Sequence, residues 1–309
     1  MSTSPQPPTN TPTGQAPSAP GHWGPWQIVM GASLWGTTGT AQALAPPEST
    51  PLTVGALRQW VGAAGLLAMA AWRGELSAVR LRQWPWGLTL LAGLCMAIYQ
   101  LCFFSAVART GVAVGTVVGI GSAPIAGGLI GWLFRAERPP LLWYPSTALA
   151  VLGCSALALS GQGVWVNAWG LLLALGAGTT YALYAHFSKS ILLDHAPDLV
   201  MAMVFLCGAL LLLPVLVWQD WSWVWQGRGL GVVLHLGLVT TALAYALFAR
   251  GLGTVPIATA MTLTLAEPLT AAVLGLVVLG EPLSLLSAGG MACILAGLLL
   301  LAQRAGRAA

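Results

Sequence analysis

Charged side chains are scarce in this chain. Its 309 residues include 12 Lys and Arg and 8 Asp and Glu, or 6% of the sequence, whereas about 25% is usual for a soluble domain. A water-soluble surface cannot be built from so few charges. The net charge of +4 gives no indication of a nucleic-acid partner.

Sequence patterns of catalytic and metal sites are also missing. The five cysteines lie within apolar segments without the close spacing of metal ligands, and we interpret them as packing residues. Neither HExxH nor a nucleophile with a matching base occurs, and the glycine-rich stretch GIGSAPIAGG lacks the lysine of a P-loop. We therefore predict no enzyme activity, no metal and no cofactor, and an intramembrane enzyme is the least favoured alternative.

Apolar residues fill most of the chain instead. They make up 57% of it, the mean hydropathy is +0.80, and apolar runs recur at close to the roughly 20 residues that cross a bilayer. Backbone polar groups must be satisfied within each span, which requires helices. The sequence predicts an all-α membrane protein with ten transmembrane helices, at about residues 26–45, 52–72, 86–108, 110–134, 141–160, 167–187, 198–219, 229–250, 255–279 and 283–303.

Basic residues predict the orientation of these spans. With the N-terminus inside, Arg109 and Arg228 fall outside and Arg58 lies within a span, while the other nine basic residues fall on cytoplasmic segments. The positive-inside rule then predicts that both termini lie in the cytoplasm. We expect the protein to be in the cell (inner) membrane. The nine residues are Arg73, Arg80, Arg82, Arg135, Arg138, Lys189, Arg250, Arg304 and Arg307.

The chain also contains an internal repeat. We predict five-helix units at 26–160 and 161–303, between a disordered cytoplasmic tail at 1–25 and a short cytoplasmic tail at 304–309. Because five is odd, the second unit enters the membrane from the opposite side, which gives the inverted repeat of alternating-access transporters. A shift of 144 residues aligns Gly93 with Gly237, Phe104 with Phe248, Thr110 with Thr254, Pro124 with Pro268, Gly131 with Gly275 and Glu137 with Glu281, and a shift of 146 aligns Trp35 with Tyr181.

Four stretches carry a resemblance to a known family. GASLWGTTGT, LRQW, SAPIAGGLIGWLFRAERP and LAEPLTAAVLGLVVLGEPLS resemble the paired EamA domains of the drug/metabolite transporter superfamily, over roughly residues 26–303. The resemblance implies a ten-helix secondary carrier of small organic metabolites, commonly an exporter of amino acids or related compounds. Ala123 departs from it, because it stands where the second half has Glu267.

Polar and aromatic residues inside the predicted spans are candidate substrate ligands. Side chains facing a polar cavity are expected at helical spacing among small residues. Each is open to a second interpretation as a packing residue, since hydroxyl groups often bond their own helix. As a set they favour an amphipathic substrate such as an amino acid, held by stacking and cation–π contact. They are Trp35, Tyr99, Gln100, Tyr181, Tyr184, Thr241 and Tyr245.

Two charges and two prolines within spans are further candidates. Glu267 lies near the centre of its span, where it either exchanges a proton with the cavity or stays protonated as a structural residue. Arg58 either binds a substrate carboxylate or extends to the interface. Pro124 and Pro268 each remove one helical hydrogen bond, and they are either gating kinks or packing bends.

The predicted partners are a small-molecule substrate, the lipid bilayer and protons as the candidate coupling ion. A passive channel or facilitator is the alternative to a coupled exporter. Glycines at four-residue spacing after residue 110 allow close helix approach. We assign this spacing to packing within the bundle, and therefore expect a monomer.

Overall fold

The computed structural model describes residues 23–78, 81–160, 167–278, 280 and 283–305. These residues form helices and no strand. Several predictions fall outside them: the tails up to residue 22 and from residue 306, the topology markers Arg80 and Arg307, and Glu281 of the repeat.

Thirteen α-helices are present in the described part of the chain. A π-helical segment, His235–Leu243, joins α9 to α10 into one continuous helical stretch. The helices are α1 Gly24–Trp35, α2 Thr38–Ala43, α3 Pro51–Trp72, α4 Trp86–Arg135, α5 Trp143–Ser160, α6 Ala168–Ile191, α7 Pro197–Leu211, α8 Leu213–Trp218, α9 Gly227–Leu234, α10 Ala244–Leu252, α11 Ile257–Leu263, α12 Ala266–Val278 and α13 Leu285–Ala305.

The fold is that of a multi-pass membrane protein. Helices occupy every predicted span, although the first, seventh and ninth are each divided between two shorter helices. Ten crossings therefore remain a prediction. Seven stretches are long and apolar enough to cross a bilayer, and two shorter apolar helices are Trp143–Leu159 and Pro197–Leu211. The seven are Leu52–Trp72, Trp86–Phe103, Gly115–Arg135, Ala168–Ile191, Gly227–Leu252, Ile257–Val278 and Leu285–Gln303.

Helix α4 contains a reversal of the chain. Its 50 residues would extend about 75 Å if straight, far beyond the roughly 30 Å hydrocarbon core. A Cβ added to Gly119 would lie only 3.5 Å from Cδ2 of Phe103, whereas sixteen residues of straight helix would separate the two by about 24 Å. The third and fourth predicted spans are therefore two limbs that face each other.

Glycine contacts show that the two halves pack alike. A Cβ at Gly93 would lie 2.9 Å from Cβ of Cys207 on α7, and one at Gly237 would collide with Val61 on α3. Gly24 faces Thr254 in the same way as Gly170 faces Thr110. Helix α3 also packs on α7, and α5 on α13, so each pair joins corresponding elements of the two halves. Residues that correspond by the sequence repeat thus make equivalent helix contacts in the two halves.

Candidate functional site: a central cavity

A cavity lies at the centre of the bundle. The space open to the centres of water-sized molecules is about 90 Å³, and about 10–15 Å³ of such space holds one water. The cavity therefore has room for several water molecules or for one small organic molecule. Its lining consists of Trp35, Thr38, Gln42, Arg58, Tyr99, Gln100, Phe103, Gly119, Ile120, Ala123, Tyr181, Tyr245, Thr264 and Glu267.

Two interrupted helices meet at this cavity. The first breaks between α1 and α2 at Gly36, where a Cβ would lie 2.7 Å from the carbonyl oxygen of Glu267. The second breaks between α11 and α12, where the Thr264 hydroxyl donates to the Met261 carbonyl at 2.7 Å and the Glu267 N–H donates to the Thr264 carbonyl at 3.0 Å. Interrupted helices of this kind commonly form substrate sites in transporters.

The two predicted prolines act differently in their helices. Pro268 lies in the first turn of α12, directly after the break, where a missing N–H removes no α-helical bond. Pro124 lies inside α4 and leaves the Ile120 carbonyl without its helical donor. Ile120 and Thr264 correspond by the repeat, and both line the cavity. Regular helical hydrogen bonding is therefore interrupted at equivalent points of the cavity lining.

Four of the predicted aromatic residues form one cluster around the cavity. The Trp35 ring centroid lies 4.7 Å from that of Tyr245 and 6.3 Å from that of Tyr181, in an edge-on arrangement with Tyr181. Tyr99 lies 5.2 Å from Tyr181 by the same measure. These four side chains come from the first, third, sixth and eighth predicted spans and line a common space.

Two predicted ligands lie outside the lining. Tyr184 is fully buried one turn further along α6, and its hydroxyl donates to Sδ of Met201 at 3.1 Å. Together with the buried rings of Phe205 and Phe248 it forms an aromatic floor beneath the cavity. The Thr241 hydroxyl donates to the Leu236 carbonyl at 2.8 Å, and its methyl side packs on Gly62 of α3.

Polar atoms without partners surround the cavity. Nε1 of Trp35, Nε of Arg58, Oε1 of Gln100 and the Tyr181 hydroxyl are all buried and have no hydrogen-bond partner among the described residues. The Glu267 carboxylate likewise makes no hydrogen bond or ion pair with any described residue, and Arg58 is not within ion-pair distance of it. Buried polar groups are normally satisfied, and the number of unsatisfied groups around this cavity makes it the candidate site for a polar ligand.

Sequence reasoning missed several lining residues. Gln42 follows Trp35 by seven residues, a spacing that places the two on one face of a helix. Phe103 follows Tyr99 by four residues in the same way. Thr264 lies three residues before Glu267, but the break between α11 and α12 determines that it faces the cavity.

One side of the bundle is closed by an ion-pair network around Asp198. This fully buried carboxylate accepts from Nε of Arg73 at 3.0 Å and from Nη2 of Arg250 at 2.6 Å. Nearby, the Leu199 N–H donates to Glu75 at 3.1 Å. Burial and the neighbouring Asp198 raise the pKa of Glu75 above its usual value. The network ties α3 to α7 and α10.

A second network closes the same side around Glu137. The left-handed backbone of Ala136, with φ 52°, ends α4 and turns the chain so that Glu137 points back into the bundle. Its carboxylate accepts from Lys189 at 2.8 Å, from Arg135 at 3.0 Å and from the Ile257 N–H at 2.9 Å. Burial opposes ionisation of Glu137, but these hydrogen bonds outweigh it and hold its pKa below the usual value. We refer to this side as the basic end.

His235 forms a hydrogen bond between two helical segments. The Thr37 hydroxyl donates its proton to the Leu34 carbonyl at 2.8 Å and therefore accepts from Nε2 of His235 at 2.9 Å. This bond fixes the junction of α1 and α2 against the π-helical segment. An apolar groove faces outward beside it, lined by residues that include Leu44, Val232 and Leu274.

Comparisons with known proteins agree with this architecture. The model of the EamA-like transporter family matches residues 22–159 and again 168–303. The uncharacterized transporter YwfM of Bacillus subtilis (strain 168) is 45% identical over 222 residues, which is 72% of this chain and 74% of YwfM. The threonine/homoserine exporter RhtA of Escherichia coli (strain K12) is 30% identical over 223 residues, which is 71% of this chain and 70% of RhtA.

A solved crystal structure shares the fold. It superposes with a TM-score of 0.78 at 20% sequence identity, covering 92% of this chain and 98% of that chain. At this identity the likeness concerns the helical architecture alone.

Proposed function

Because this chain belongs to the EamA-like transporter family, we propose that it exports small zwitterionic amino acids through the central cavity by alternating access. It is a multi-pass membrane transporter. The relative named threonine/homoserine exporter supports the choice of substrate class.

The observation that carries the proposal is the pair of unmatched charges in one small cavity. Arg58 and Glu267 both line it, and neither side chain is ion-paired within the described part of the chain. Two opposite charges without partners are costly in a membrane interior, even though each of these side chains is only partly buried. A zwitterion placed between them, with its carboxylate on Arg58 and its ammonium on Glu267, neutralises both.

The other lining groups suit the same ligand. Arg58 offers a planar array of donors that matches a carboxylate. The faces of Trp35, Tyr181 and Tyr245 favour an ammonium group or an apolar side chain. The free Tyr181 hydroxyl and the free Trp35 N–H add hydrogen-bonding groups. A small amino acid fits both the volume and the chemistry.

The closure of the basic end supports alternating access. Along α6 the order is Tyr181 in the cavity, Tyr184 in the floor and Lys189 in the ion-pair network. Away from the basic end the lining continues to Gln42, next to the last residue of α2. The inverted repeat then provides the alternative state, in which the opposite end closes and the basic end opens.

Proton exchange at Glu267 supplies a driving force in this mechanism. The carboxylate can hold either a proton or the substrate ammonium, because both neutralise the same negative charge. Substrate leaving in one direction is then replaced by a proton entering in the other. With the basic end in the cytoplasm of the cell (inner) membrane, as the positive-inside rule predicts, an inward proton gradient drives export.

Reconstitution tests the proposal against a passive facilitator. Proteoliposomes loaded with labelled threonine should release it faster when the outside is acidified, and an uncoupler should abolish the acceleration. A passive facilitator would release threonine no faster after acidification of the outside. Lack of any protein-dependent threonine movement, in either condition, would reject the proposed substrate class.

Orientation is tested separately by thiol labelling. In a chain whose native cysteines are replaced, Ser77→Cys at the basic end and Gln226→Cys at the opposite end are both exposed positions. Impermeant reagents applied outside intact cells should label Gln226→Cys only. Labelling of Ser77→Cys alone would show that the topology is the opposite of the predicted one.

A further inference from the structure

Two glutamines form a buried amide pair at the edge of the cavity. Nε2 of Gln100 donates to Oε1 of Gln59 at 3.2 Å, and the two side chains are 4% and 1% exposed. Gln100 lines the cavity, whereas Gln59 lies behind it. Gln59 is held in place by α7, since a Cβ at Gly208 would lie 2.6 Å from its Nε2.

The single hydrogen bond between the two amides leaves other polar atoms of the pair without partners. Oε1 of Gln100 and Nε2 of Gln59 are buried without partners in the described part of the chain. An amide offers two donors and an acceptor, and leaving such groups unsatisfied in a buried site is unfavourable. Because Gln100 faces the cavity, a bound substrate can supply its missing partner.

The chemistry of the pair selects the kind of partner. In the observed orientation Gln100 presents an acceptor to the cavity. If both amides turned over together, Gln59 would donate to Gln100, and Gln100 would present a donor instead. A hydroxyl group satisfies either arrangement, because it both donates and accepts. A methyl group satisfies neither.

We propose that Gln100, positioned by Gln59, determines specificity for amino acids that carry a side-chain hydroxyl over apolar amino acids of the same shape. This inference rests on the proposed function, since it presumes an amino acid in the cavity. Arg58 and Glu267 bind the carboxylate and the ammonium group, which all amino acids share. Gln100 forms a hydrogen bond with the hydroxyl of the substrate side chain. Sites that hydrogen-bond a substrate hydroxyl discriminate strongly against analogues without it.

The experiment compares threonine with valine, which has nearly the same shape but no hydroxyl. In proteoliposomes, each unlabelled amino acid competes with labelled threonine, and the ratio of the two inhibition constants is measured. The unmodified protein should prefer threonine by roughly 10- to 100-fold, the range expected for one buried hydrogen-bonding group. In Gln100→Leu the ratio should fall to within about threefold, mainly through weaker threonine binding.

A second variant tests the positioning role. Gln59 does not line the cavity, so Gln59→Leu should leave competition by valine unchanged while reducing the threonine preference to an intermediate ratio. Gln59→Glu retains an acceptor for Gln100 and should restore most of the preference. Thr240→Val is the matched control, because Thr240 is buried away from the cavity and donates only to its own helix.

The outcomes separate this inference from the proposed function. Threonine transport with equal competition by valine in the unmodified protein would overturn the inference and leave the proposed function standing. An unchanged ratio in a folded Gln100→Leu protein would overturn it as well. Absence of threonine transport in the unmodified protein rejects the proposed function. Gln100→Met, with a side chain closer in length, replaces Gln100→Leu if that variant does not purify as a monodisperse protein.

Discussion

The two halves of the molecule share their scaffold and differ in their charges. Gly93 and Gly237 make equivalent close contacts with the other half. At the cavity, by contrast, Arg58 corresponds to Val204, and Glu267 to Ala123. Packing positions therefore preserve the symmetry on which the proposed alternating-access mechanism depends. The charged positions break it, and they are the positions to which we assign function.

The same contrast separates the two ends of the bundle. At the basic end Asp198, Arg250 and Lys189 take part in ion pairs. The repeat places Leu52, Ala106 and Ala43 at the equivalent positions of the opposite end. Among the described residues, ion pairs therefore join the helices at the basic end and not at the equivalent positions of the opposite end. In the proposed alternating-access mechanism, this difference would favour the state in which the basic end is closed.

The largest effect is expected at a charge that only one half carries. Arg58→Gln should weaken threonine binding roughly 100-fold, because the substrate carboxylate loses its charged partner and enters a buried site. Thermal stability should change little, since Arg58 makes no ion pair with any described residue. Binding is measured by scintillation proximity on purified protein.

The control for this variant is Arg109→Gln, which removes an exposed arginine whose one hydrogen bond among the described residues is to the Ser105 carbonyl. It should bind threonine like the unmodified protein. Equal losses in both variants would mean that overall charge, rather than the cavity, determines binding.

Loss of the buried carboxylate at the basic end should have the next largest effect. Asp198→Asn removes the partner of Arg73 and Arg250, and we expect a cost of about 2–3 kcal/mol, reduced because Arg73 is 48% exposed. The closed basic end should open more often. A cysteine at Ser188, which is fully buried at the basic end and precedes Lys189 of the Glu137 network, should therefore react faster with thiol reagents applied from that side.

The matched change at the other end is Leu52→Asn, which introduces the same side chain at the position that corresponds to Asp198. Leu52 is exposed and belongs to no ion pair among the described residues. Its substitution should leave Ser188→Cys protected. Faster labelling in both variants would contradict a specific role for the ion pairs.

Scaffold glycines should respond alike in the two halves. Gly93→Ala and Gly237→Ala each force a Cβ into the facing helix, and each should destabilise the protein by about 1–2 kcal/mol, typical of overpacking. Gly87→Ala in α4 meets open space and should be neutral or slightly stabilising. Melting temperatures in detergent measure all three. A large difference between the two buried positions would weaken the claim of equivalent packing.

The smallest predicted effect is a pH dependence from Glu137. Its pKa is lowered by hydrogen bonds in the folded protein, so its contribution to stability is complete above the usual carboxyl value of 4.5 and is lost as the pH falls through the lowered pKa. Glu137→Gln should remove this contribution. The difference in melting temperature between the two proteins should therefore shrink on acidification, and a constant difference from pH 7 to pH 3 would be contrary to this account.

The sequence predicted the helical segments better than the directions of their side chains. Hydropathy identifies apolar runs, and Trp35, Tyr99 and Tyr181 were recognisable as aromatic residues among small ones. Rotation about a helix axis is not contained in hydropathy. Thr241 precedes Tyr245 by one α-helical turn, which predicts a shared face. The π-helical segment through Leu243 changes the phase, and the Thr241 hydroxyl bonds the carbonyl five residues before it.

Long-range pairing was also invisible in the sequence. Arg73, Arg250 and Lys189 indicated topology, but nothing in the chain order identifies Asp198 or Glu137 as their partners. Those pairs depend on how α3, α4, α6 and α7 meet at the basic end. The amide pair of Gln59 and Gln100 depends in the same way on the contact of α3 with α4.

Glu267→Gln provides the most direct test of coupled amino-acid export. The substitution preserves the size of the side chain and removes its charge, so it should eliminate both tight threonine binding and the proton movement that accompanies threonine. Proteoliposomes containing a pH-sensitive dye measure that movement when threonine is added on one side. We expect a threonine-dependent proton flux from the unmodified protein and none from Glu267→Gln. Ala123→Gln, which changes the corresponding position of the other half, should reduce this flux at most partly. A normal threonine-dependent proton flux from folded Glu267→Gln would contradict the account.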